Sequence, residues 1–407
     1  MPEPILASRQ TIAGLSGVPA VFKAGGLALL RARRGRIRFL LPDGREILFD
    51  HGEEGPSADV TVHDYDFARR ALAGGDVGFA EAYMDGQWST QDLTGVLEFF
   101  SENFEAAGQL AVGGWVIKVA NRLRHLLNRN SKSQARRNIM AHYDLGNAFY
   151  EKWLDPTMTY SSGLFTSPNT SLEQSQSAKY AGIADRIGAA PDHHILEIGC
   201  GWGGFAHYVA QHRGAHVTCL TISEAQAEYA RQRVFEAGLS ERVNIKLQDY
   251  RDHEGQYSGV ASIEMFEAVG ESYWPSYFQK IGDVLVDGGK AALQIITIRD
   301  DLFEGYRNRA DFIQRYIFPG GMLPSELKLK EQFASAGLRY DGTHYFGQDY
   351  AKTLRLWSKR FNGAWGEIEE LGFDKAFKRM WNFYLSYCEA GFQNGRINVG
   401  QFALTKP

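Results

Sequence analysis

The sequence predicts an α/β protein whose larger part is a doubly wound, mostly parallel sheet. From about residue 180 onward, short apolar segments typical of buried strands alternate with segments typical of helices. A glycine-rich stretch joins the first of these strands to the next helix, as in nucleotide-binding turns. The chain has 407 residues, of which 44% are apolar and 23% charged. That composition is enough for two domains with ordinary cores.

The elements of the larger part follow one another regularly, and each is bounded by turn residues. The predicted strands are 193–201, 216–222, 243–250, 259–266 and 291–298. The predicted helices are 203–214 and 223–238, and 275–290 is predicted as a helix and turn.

The first part of the chain, residues 1–112, is typical of a smaller α+β domain. Two apolar runs around Pro42-Asp43-Gly44 predict a hairpin over 34–50. Alternating residues at the start of 60–75 lead into a helix that we expect to stop at the paired glycines. An apolar face made by Leu93, Val96, Leu97 and Phe100 predicts a further helix.

Two basic clusters indicate how the chain divides and what it contacts. Residues 118–137 contain seven Lys or Arg and no acid. We therefore predict a basic linker or helix over 113–140, followed by a domain of 141–407. A second cluster lies in the first domain, at Arg31, Arg33, Arg34, Arg36 and Arg38. Both clusters suit either a solvated surface or docking to anionic lipid, where each basic residue contributes roughly 1 kcal/mol. Leu123, Leu126 and Leu127 share one helical face, which favours an interfacial helix.

Global features exclude several classes of protein. The net charge of −4 gives no general attraction to nucleic acid. Cys200, Cys219 and Cys388 form no paired motif, so we expect neither a disulfide framework nor a metal site. Glu3 stands where a signal peptide needs a basic residue, and no apolar run is long enough to span a membrane. We expect a cytoplasmic protein.

The glycine loop 196–204 and the residues that follow it indicate which nucleotide-containing cofactor the site binds. Its spacing is G-x-G-x-G-G, and no acid stands about 20 residues on, where a dinucleotide site binds ribose. Ser223 and Gln226 there predict a capping box for the next helix. An acid, Asp249, follows the third strand, where it could hold an adenine amino group. These features fit S-adenosylmethionine better than NAD.

An ordered set of motifs resembles the cyclopropane-fatty-acyl-phospholipid synthase family from about residue 35 to the end of the chain. The motifs are His142-Tyr143-Asp144-Leu145-Gly146-Asn147, Trp153-Leu154-Asp155-Pro156 with Met158, Tyr160 and Ser161, the Gly199–Gly204 loop, Thr221-Ile222-Ser223, Met265-Phe266-Glu267, Tyr316-Ile317-Phe318-Pro319 and Phe346-Gly347 with Asp349-Tyr350. The resemblance implies an S-adenosylmethionine-dependent methyltransferase with a seven-stranded sheet and a lipid-docking N-terminal domain. It also implies alkylation of the cis double bond of a phospholipid acyl chain, peripheral association with the inner membrane, and a homodimer.

The resemblance also implies site residues, position by position. The implied cofactor-binding residues are Tyr160, Ser161, Gly199, Cys200, Gly201, Gly203, Thr221, Ser223, Gln226, Gln248, Asp249 and Tyr250. In the family a bicarbonate ion acts as the base, and Glu267 and Tyr350 match two of its holders. Ile298 matches a position that contributes main chain.

Three positions depart from the family's pattern near that ion. Ser162 stands in place of a cysteine, Ile296 in place of a histidine, and Ala268 in place of another histidine. Gln294 lies two residues before Ile296 on the same strand face, so it could substitute as a hydrogen-bond donor, and Ser162 can still donate one bond. We therefore predict that dependence on bicarbonate is weakened or lost.

Glu267 and Cys388 are candidates for a direct role in catalysis. Glu267 could itself be the base if burial raises its pKa; the alternative is a structural acid. Cys388 matches a cysteine often flagged in the family. An alkene is not an electrophile, so a thiol nucleophile has no obvious role, and packing is the favoured interpretation of Cys388.

The position of the base decides the product of such a reaction. Proton loss from different carbons gives a cyclopropane ring, a methylene branch or a methyl-branched alkene. The sequence leaves a cyclopropane product and a branched product open. Two other functions also remain open: a cofactor- and membrane-binding protein that has lost catalysis, and a methyltransferase for a soluble small molecule.

Overall fold

The computed structural model describes residues 3–103 and 145–407, and these fall into two compact units. The first unit contains 3–103, 309–312 and 372–394, and the second contains 145–308, 313–371 and 395–407. The short segments 309–312 and 372–394, which the sequence analysis assigned to the domain of 141–407, therefore pack in the first unit. The basic segment 113–140 and His142-Tyr143-Asp144 lie outside the described residues.

The first unit is built around a five-stranded sheet in the order β1-β3-β2-β4-β5. Its strands are β1 (Ile5–Leu6), β2 (Arg34–Leu40), β3 (Glu46–Asp50), β4 (Glu53–Val62) and β5 (Trp88–Ser89). Its helices are Arg9–Gly14, Ala20–Leu29, Asp66–Met84, Leu93–Glu102 and Lys375–Gln393.

Alternation of side chains along β2 explains how this sheet forms. Ile37 and Phe39 are buried, while Arg36 and Arg38, which alternate with them, point to solvent. β2 and β3 pair antiparallel, with Phe39 opposite Ile47, so the predicted hairpin is confirmed. The exposed arginines form ion pairs, including Arg36 with Asp50 at 3.3 Å.

The helix predicted to stop at the paired glycines does stop there. Gly75, the second glycine of the pair, has φ +61 and ψ −136, which is not helical, and it separates the first helical stretch from a second one that continues to Met84. The predicted stop is therefore confirmed. In the second stretch Val77, Phe79 and Ala80 are buried.

The second unit contains a seven-stranded sheet in the order β11-β12-β10-β9-β6-β7-β8. Its strands are β6 (His194–Ile198), β7 (His216–Thr221), β8 (Val243–Leu247), β9 (Tyr257–Ile263), β10 (Leu285–Ile298), β11 (Arg339–Tyr345) and β12 (Ile397–Thr405). Its α-helices are Asn147–Glu151, Leu172–Arg186, Gly204–Arg213, Glu224–Glu236, Trp274–Val284, Asp300–Arg307, Glu326–Ser335, Gly347–Gly363 and Trp365–Glu370. A π-helical turn covers Ile313–Ile317, and 3₁₀ turns cover Tyr250–Asp252, Phe266–Ala268 and Glu271–Tyr273.

The topology of this sheet fixes where a ligand can bind. β6 to β10 are parallel to their neighbours, whereas β12 lies antiparallel between β10 and β11. The chain runs outward from β6 to β7 and β8 on one side, then to β9 and β10 on the other. Such a switch point opens a crevice at the carboxyl ends of the strands. The predicted doubly wound α/β fold with a smaller α+β domain is confirmed.

Several strand ends differ from the predicted ones, and the differences lie at this crevice. The strand predicted over 259–266 ends at Ile263, and Glu264 follows with φ +49. The strand predicted over 193–201 ends at Ile198, where the glycine loop begins. In both cases the chain leaves the sheet earlier than its apolar pattern suggests. No helix among the described residues is both long and apolar enough to cross a membrane.

Candidate active site

The glycine loop follows β6 and is packed on one side and open on the other. Gly199, Gly201 and Gly203 have φ of +80, +50 and +79, which residues with a side chain rarely adopt. A Cβ at Gly199 would lie 2.5 Å from Cγ of Met265, so only glycine fits there. A Cβ at Gly201 would meet no atom within 4 Å. The backbone at Gly201 therefore offers an open surface on which a ligand can lie.

The predicted cap of the next helix forms, but not as a full capping box. The Ser223 hydroxyl accepts a hydrogen bond from the Gln226 amide nitrogen at 3.3 Å. The Gln226 side chain does not bond back to Ser223; its Oε1 accepts from the Thr221 hydroxyl at 3.0 Å. Ser223 N donates to that same Thr221 oxygen. This network fixes three of the predicted cofactor-binding residues at the end of β7.

The residues after β8 form a second ordered loop. Gln248 Oε1 lies 2.9 Å from His253 Nδ1, so this side chain helps to hold the loop. Asp249 forms an ion pair with Arg251, at 2.8 Å from Nε and 2.5 Å from Nη2. Tyr250 packs edge-on against a buried tyrosine, and burial raises its pKa to about 12. A role for Asp249 in binding adenine stays a prediction.

The segment around Tyr160 lies between aromatic rings and a helix. The Tyr160 ring centroid is 5.5 Å from that of Trp153 and 5.3 Å from that of Trp357. It also lies 6.4 Å from the ring of Phe318, which follows the π-helical turn. Gly163 N donates to the Thr353 hydroxyl at 3.1 Å, which ties the segment to the helix Gly347–Gly363. This group of aromatic rings can stabilise a positive charge.

A buried carboxylate, Glu264, gathers three donors from three separate elements. Its Oε1 accepts from Ser162 N at 2.9 Å and from Gln294 Nε2 at 2.7 Å. Its Oε2 accepts from the Tyr350 hydroxyl at 2.6 Å. The orientation of the Gln294 amide is fixed because its Oε1 accepts from Gln401 Nε2 on β12.

Three of the predicted catalytic residues thus come together, but around a residue that the sequence analysis missed. Ser162, Gln294 and Tyr350 surround Glu264 rather than Glu267. The hydroxyl of Ser162 donates to the carbonyl of Gly163, so its contribution to the site is its main-chain amide. An acid directly after an apolar strand was the signal that could have identified Glu264.

Glu267 lies one turn further along, in the 3₁₀ turn Phe266–Ala268. Its Oε1 accepts from Ile296 N at 2.6 Å, so Ile296 contributes a main-chain donor. Its Oε2 is buried without a hydrogen-bond partner. Burial, together with the nearby charge of Glu264, raises the pKa of Glu267 to about 8. An unpartnered carboxyl oxygen with a pKa near neutrality suits a general base.

A buried lysine, which the sequence analysis also missed, lies beside this pair. Lys179 Nζ donates to Ser161 Oγ and to Gln176 Oε1, both at 2.6 Å. Burial lowers the pKa of Lys179 to about 7, while the charge of Glu264 opposes that shift. Burial likewise raises the pKa of Glu264, which Tyr350 and Lys179 oppose. No local pattern in the helix Leu172–Arg186 separates this lysine from a solvated one.

Cys388 belongs to a different unit from the other predicted catalytic residues. It lies on the helix Lys375–Gln393 of the first unit, whereas the others belong to the second. Burial raises the pKa of its thiol, with the charge of Asp311 adding to the effect. A thiol that stays protonated is a weak nucleophile. Packing therefore remains the favoured interpretation, and a catalytic role stays a prediction.

The fold and the site together define a class of protein. The sheet order with its reversed strand, the glycine loop open at Gly201 and the polar residues after β7 and β8 are those of an S-adenosylmethionine-dependent methyltransferase. A family model described as mycolic acid cyclopropane synthetase matches residues 130–402. The chain belongs to this family of cyclopropane synthases and related methyltransferases.

Two curated relatives cover most of the chain. A tuberculostearic acid methyltransferase of Mycobacterium tuberculosis, UfaA1, is 41% identical over 365 residues, which cover 87% of this chain and 85% of the relative. The cyclopropane-fatty-acyl-phospholipid synthase of Escherichia coli (strain K12) is 35% identical over 353 residues, which cover 86% of this chain and 88% of the relative.

Solved structures agree with these relatives. The cyclopropane synthase MmaA2 from Mycobacterium tuberculosis has a TM-score of 0.63 at 28% identity, covering 67% of this chain and 98% of its own. The mycolic acid cyclopropane synthase CmaA1, complexed with SAH and CTAB, has a TM-score of 0.63 at 29% identity, with the same coverage of 67% and 98%. S-adenosylmethionine is thus the cofactor of this chain's family, and the open loop at Gly201 fits it.

Proposed function

We propose that the protein transfers the methyl group of S-adenosylmethionine to the cis double bond of an unsaturated phospholipid acyl chain. The observation that carries this proposal is the buried pair Glu264 and Glu267, which lies at the carboxyl ends of β9 and β10 near the glycine loop. A methyltransferase acting on an oxygen or nitrogen nucleophile needs to activate that atom. One acting on an alkene needs a base only after the methyl group has been transferred.

When bound, S-adenosylmethionine supplies a methyl group on a positively charged sulfur. An alkene is a weak nucleophile, so the main contribution of the protein is to align the acyl chain and to exclude water. The rings around Tyr160, including Trp153 and Trp357, suit this task because they are apolar and pack edge-on or tilted against Tyr160, and both tryptophans are buried. Each desolvated ring face stabilises an adjacent cation by about 1–2 kcal/mol.

The carbocation that methyl transfer leaves on the acyl chain must lose a proton. The π electrons of the alkene form the new carbon–carbon bond, and the electrons of the carbon–sulfur bond remain on sulfur. A carbon–hydrogen bond of this carbocation then breaks, its electron pair forms a carbon–carbon double bond or closes the ring, and the proton passes to Oε2 of Glu267. This oxygen is buried, has no hydrogen-bond partner and belongs to a carboxyl group with a pKa of about 8, which suits it to accept that proton.

We also propose that the product is a branched chain rather than a ring. Neither the Ser162 hydroxyl nor the Ile296 side chain offers a hydrogen-bond donor to an ion in the site. This supports a side-chain base, Glu267, in place of a bound ion. One relative is named as a methyltransferase and the other as a cyclopropane synthase, so the family alone leaves both outcomes open.

Product analysis with a deuterated donor tests both parts of this proposal. The purified protein is incubated with unsaturated phospholipid vesicles and S-adenosylmethionine carrying a CD₃ group, and the acyl chains are analysed by mass spectrometry. Three retained deuteriums indicate a methyl-branched alkene, whereas two indicate a ring or a methylene branch. Mild hydrogenation then separates these two, because only the methylene branch takes up hydrogen. A ring as the sole product contradicts the branched outcome, and no incorporation contradicts methyl transfer.

We further propose that the first unit docks on anionic phospholipid. Arg31 and Arg33 are exposed just before β2, whereas Arg36 and Arg38 are paired with acids. Each unpaired basic residue near a lipid surface contributes about 1 kcal/mol. Replacing Arg31 and Arg33 by glutamine therefore lowers binding to anionic vesicles roughly 30-fold in a sedimentation assay.

A variant with the same change in net charge controls for general electrostatics. Lys290 and Lys359 are exposed in the second unit, and their double replacement by glutamine leaves vesicle binding close to that of the unmodified protein. Binding by the unmodified protein also weakens as salt rises. Equal losses in the two double variants would contradict a docking surface at Arg31 and Arg33.

A further inference from the structure

We infer that Glu264 is a resident anion: its carboxylate occupies an anion-binding cradle, so the site takes no small oxyanion from solution. The cradle consists of the Ser162 amide nitrogen, the Gln294 amide group and the Tyr350 hydroxyl. The catalytic consequence of this inference rests on the proposed function, but the existence of the cradle does not.

The cradle is built from elements that are fixed independently of Glu264. Gln294 lies on β10 and is held by Gln401 of β12. Tyr350 lies on the helix Gly347–Gly363, and Ser162 lies in a segment that the same helix anchors. Three uncharged donors converge on one carboxylate at 2.6–2.9 Å. Without the Glu264 side chain, these donors would present the same pattern to any anion with the shape of a carboxylate.

The backbone at this position is a second, independent observation. Glu264 has φ +49, a left-handed conformation that a residue with a Cβ seldom adopts. It is one of two described non-glycine residues with a positive φ, the other being Met158. Strain of this kind persists only where the surroundings hold it, and it concentrates at functional sites. Glycine would fit the turn without strain, but it would leave the cradle without its anion.

The charges around Glu264 indicate what the anion does. Three titratable groups face it: Tyr350 by a direct hydrogen bond, and Lys179 and Glu267 through their charges. Its negative charge is one of the two causes that raise the pKa of Glu267. Glu264 is therefore a positioning residue: its charge makes the ionised carboxylate of Glu267 a stronger base, whereas Glu267 has the unpartnered oxygen.

Emptying the cradle tests the inference directly. The full-length variant Glu264→Gly relieves the backbone strain and leaves the three donors unoccupied. We expect ¹³C-labelled formate or bicarbonate, measured by NMR in the absence of donor and lipid, to bind this variant at least tenfold more tightly than the unmodified protein. Adding Tyr350→Phe to the variant removes one donor and weakens formate binding about tenfold. Equal binding of formate by Glu264→Gly and the unmodified protein overturns the inference.

A second variant keeps the test valid if Glu264→Gly does not fold. Glu264→Gln fills the cradle without charge, so it binds no formate, and its methyl transfer reaches half-maximum at a lower pH because Glu267 loses its negative neighbour. An unshifted pH profile overturns the positioning role.

Methyl transfer by the unmodified protein is unchanged when bicarbonate is removed, and a requirement for bicarbonate also overturns the inference. Because anion binding is measured without substrate, its result stands apart from failure of the proposed function.

Discussion

Replacing Glu267 by glutamine separates the role of this carboxyl group from its contribution to the fold. Glutamine keeps the size of the side chain and an oxygen for the amide nitrogen of Ile296, which donates at 2.6 Å. It removes the oxygen that we propose accepts the proton. Loss of a general base lowers the rate about 10²–10⁴-fold, which corresponds to about 3–5 kcal/mol of barrier. Affinity for S-adenosylmethionine changes little, because Glu267 is not among the predicted cofactor-binding residues.

The same substitution has an effect on stability whose sign follows from the pKa. Burial raises the pKa of Glu267 from 4.5 to about 8. Below pH 4.5 both the folded and unfolded chains hold the proton, whereas between 4.5 and 8 only the folded chain does. The contribution of Glu267 to the free energy of unfolding therefore falls as pH rises through this window. At about 1.4 kcal/mol per pKa unit, the full loss is about 5 kcal/mol.

Glutamine does not titrate, so the free energy of unfolding of the variant does not fall with pH for this reason. We expect urea unfolding between pH 4.5 and 8 to give a higher free energy of unfolding for Glu267→Gln than for the unmodified protein. This difference grows with pH, by up to about 5 kcal/mol. Glu254 is exposed, and Glu254→Gln provides the matched control, whose difference from the unmodified protein stays flat. Parallel curves for Glu267→Gln and Glu254→Gln, or a Glu267→Gln protein that keeps its methyl-transfer rate, would refute the reasoning.

Two further predictions concern the glycine loop and the buried lysine. Gly199→Ala places a Cβ 2.5 Å from a methionine side chain and lowers stability by about 1–3 kcal/mol more than Gly201→Ala, whose Cβ meets no atom within 4 Å. Thermal denaturation measures the difference; calorimetric titration shows weaker cofactor binding by Gly201→Ala, and unchanged binding argues against the open surface. Lys179 has a pKa lowered from 10.5 to about 7, so its folded state binds fewer protons than the unfolded state in this range. The stability of the unmodified protein relative to Lys179→Met therefore rises with pH through that range, and a constant difference in urea unfolding contradicts it.

Much of the fold could be predicted from the sequence because its strands and helices have clear local patterns. β6 to β10 are apolar segments separated by polar helices, and the order of a doubly wound sheet follows from that rhythm. The ends of the strands were less predictable. The run up to Phe266 continues the apolar pattern, but the strand ends at Ile263 because Glu264 takes a left-handed conformation. A tertiary requirement, the carboxylate in its cradle, overrides the local preference there.

The sequence predicted individual residues of the site, but not which of them lie together. Ser162 and Gln294 lie 132 residues apart, and no local pattern indicates that both face one carboxylate. Lys179 and Gln176 are three residues apart in a polar helix, which is typical of a solvated face. They are buried because Ser161, from an earlier segment, packs against them. The resemblance to a family supplied Glu267 and Tyr350, whereas the only sequence signal for Glu264 was its place directly after an apolar strand, and its three donors became visible only in the three-dimensional structure.

The reversed strand β12 has a consequence for how the protein matures. Gln401 on this strand donates to Gln294 and to the carbonyl of Lys179, a contact between residues 222 positions apart. Closing a loop of that length costs entropy that only an assembled sheet can offset. Both contacts therefore require that β12, near the end of the chain, is paired with β10. A chain in which β12 is unpaired lacks the contact that fixes the Gln294 amide, so its cradle is incomplete.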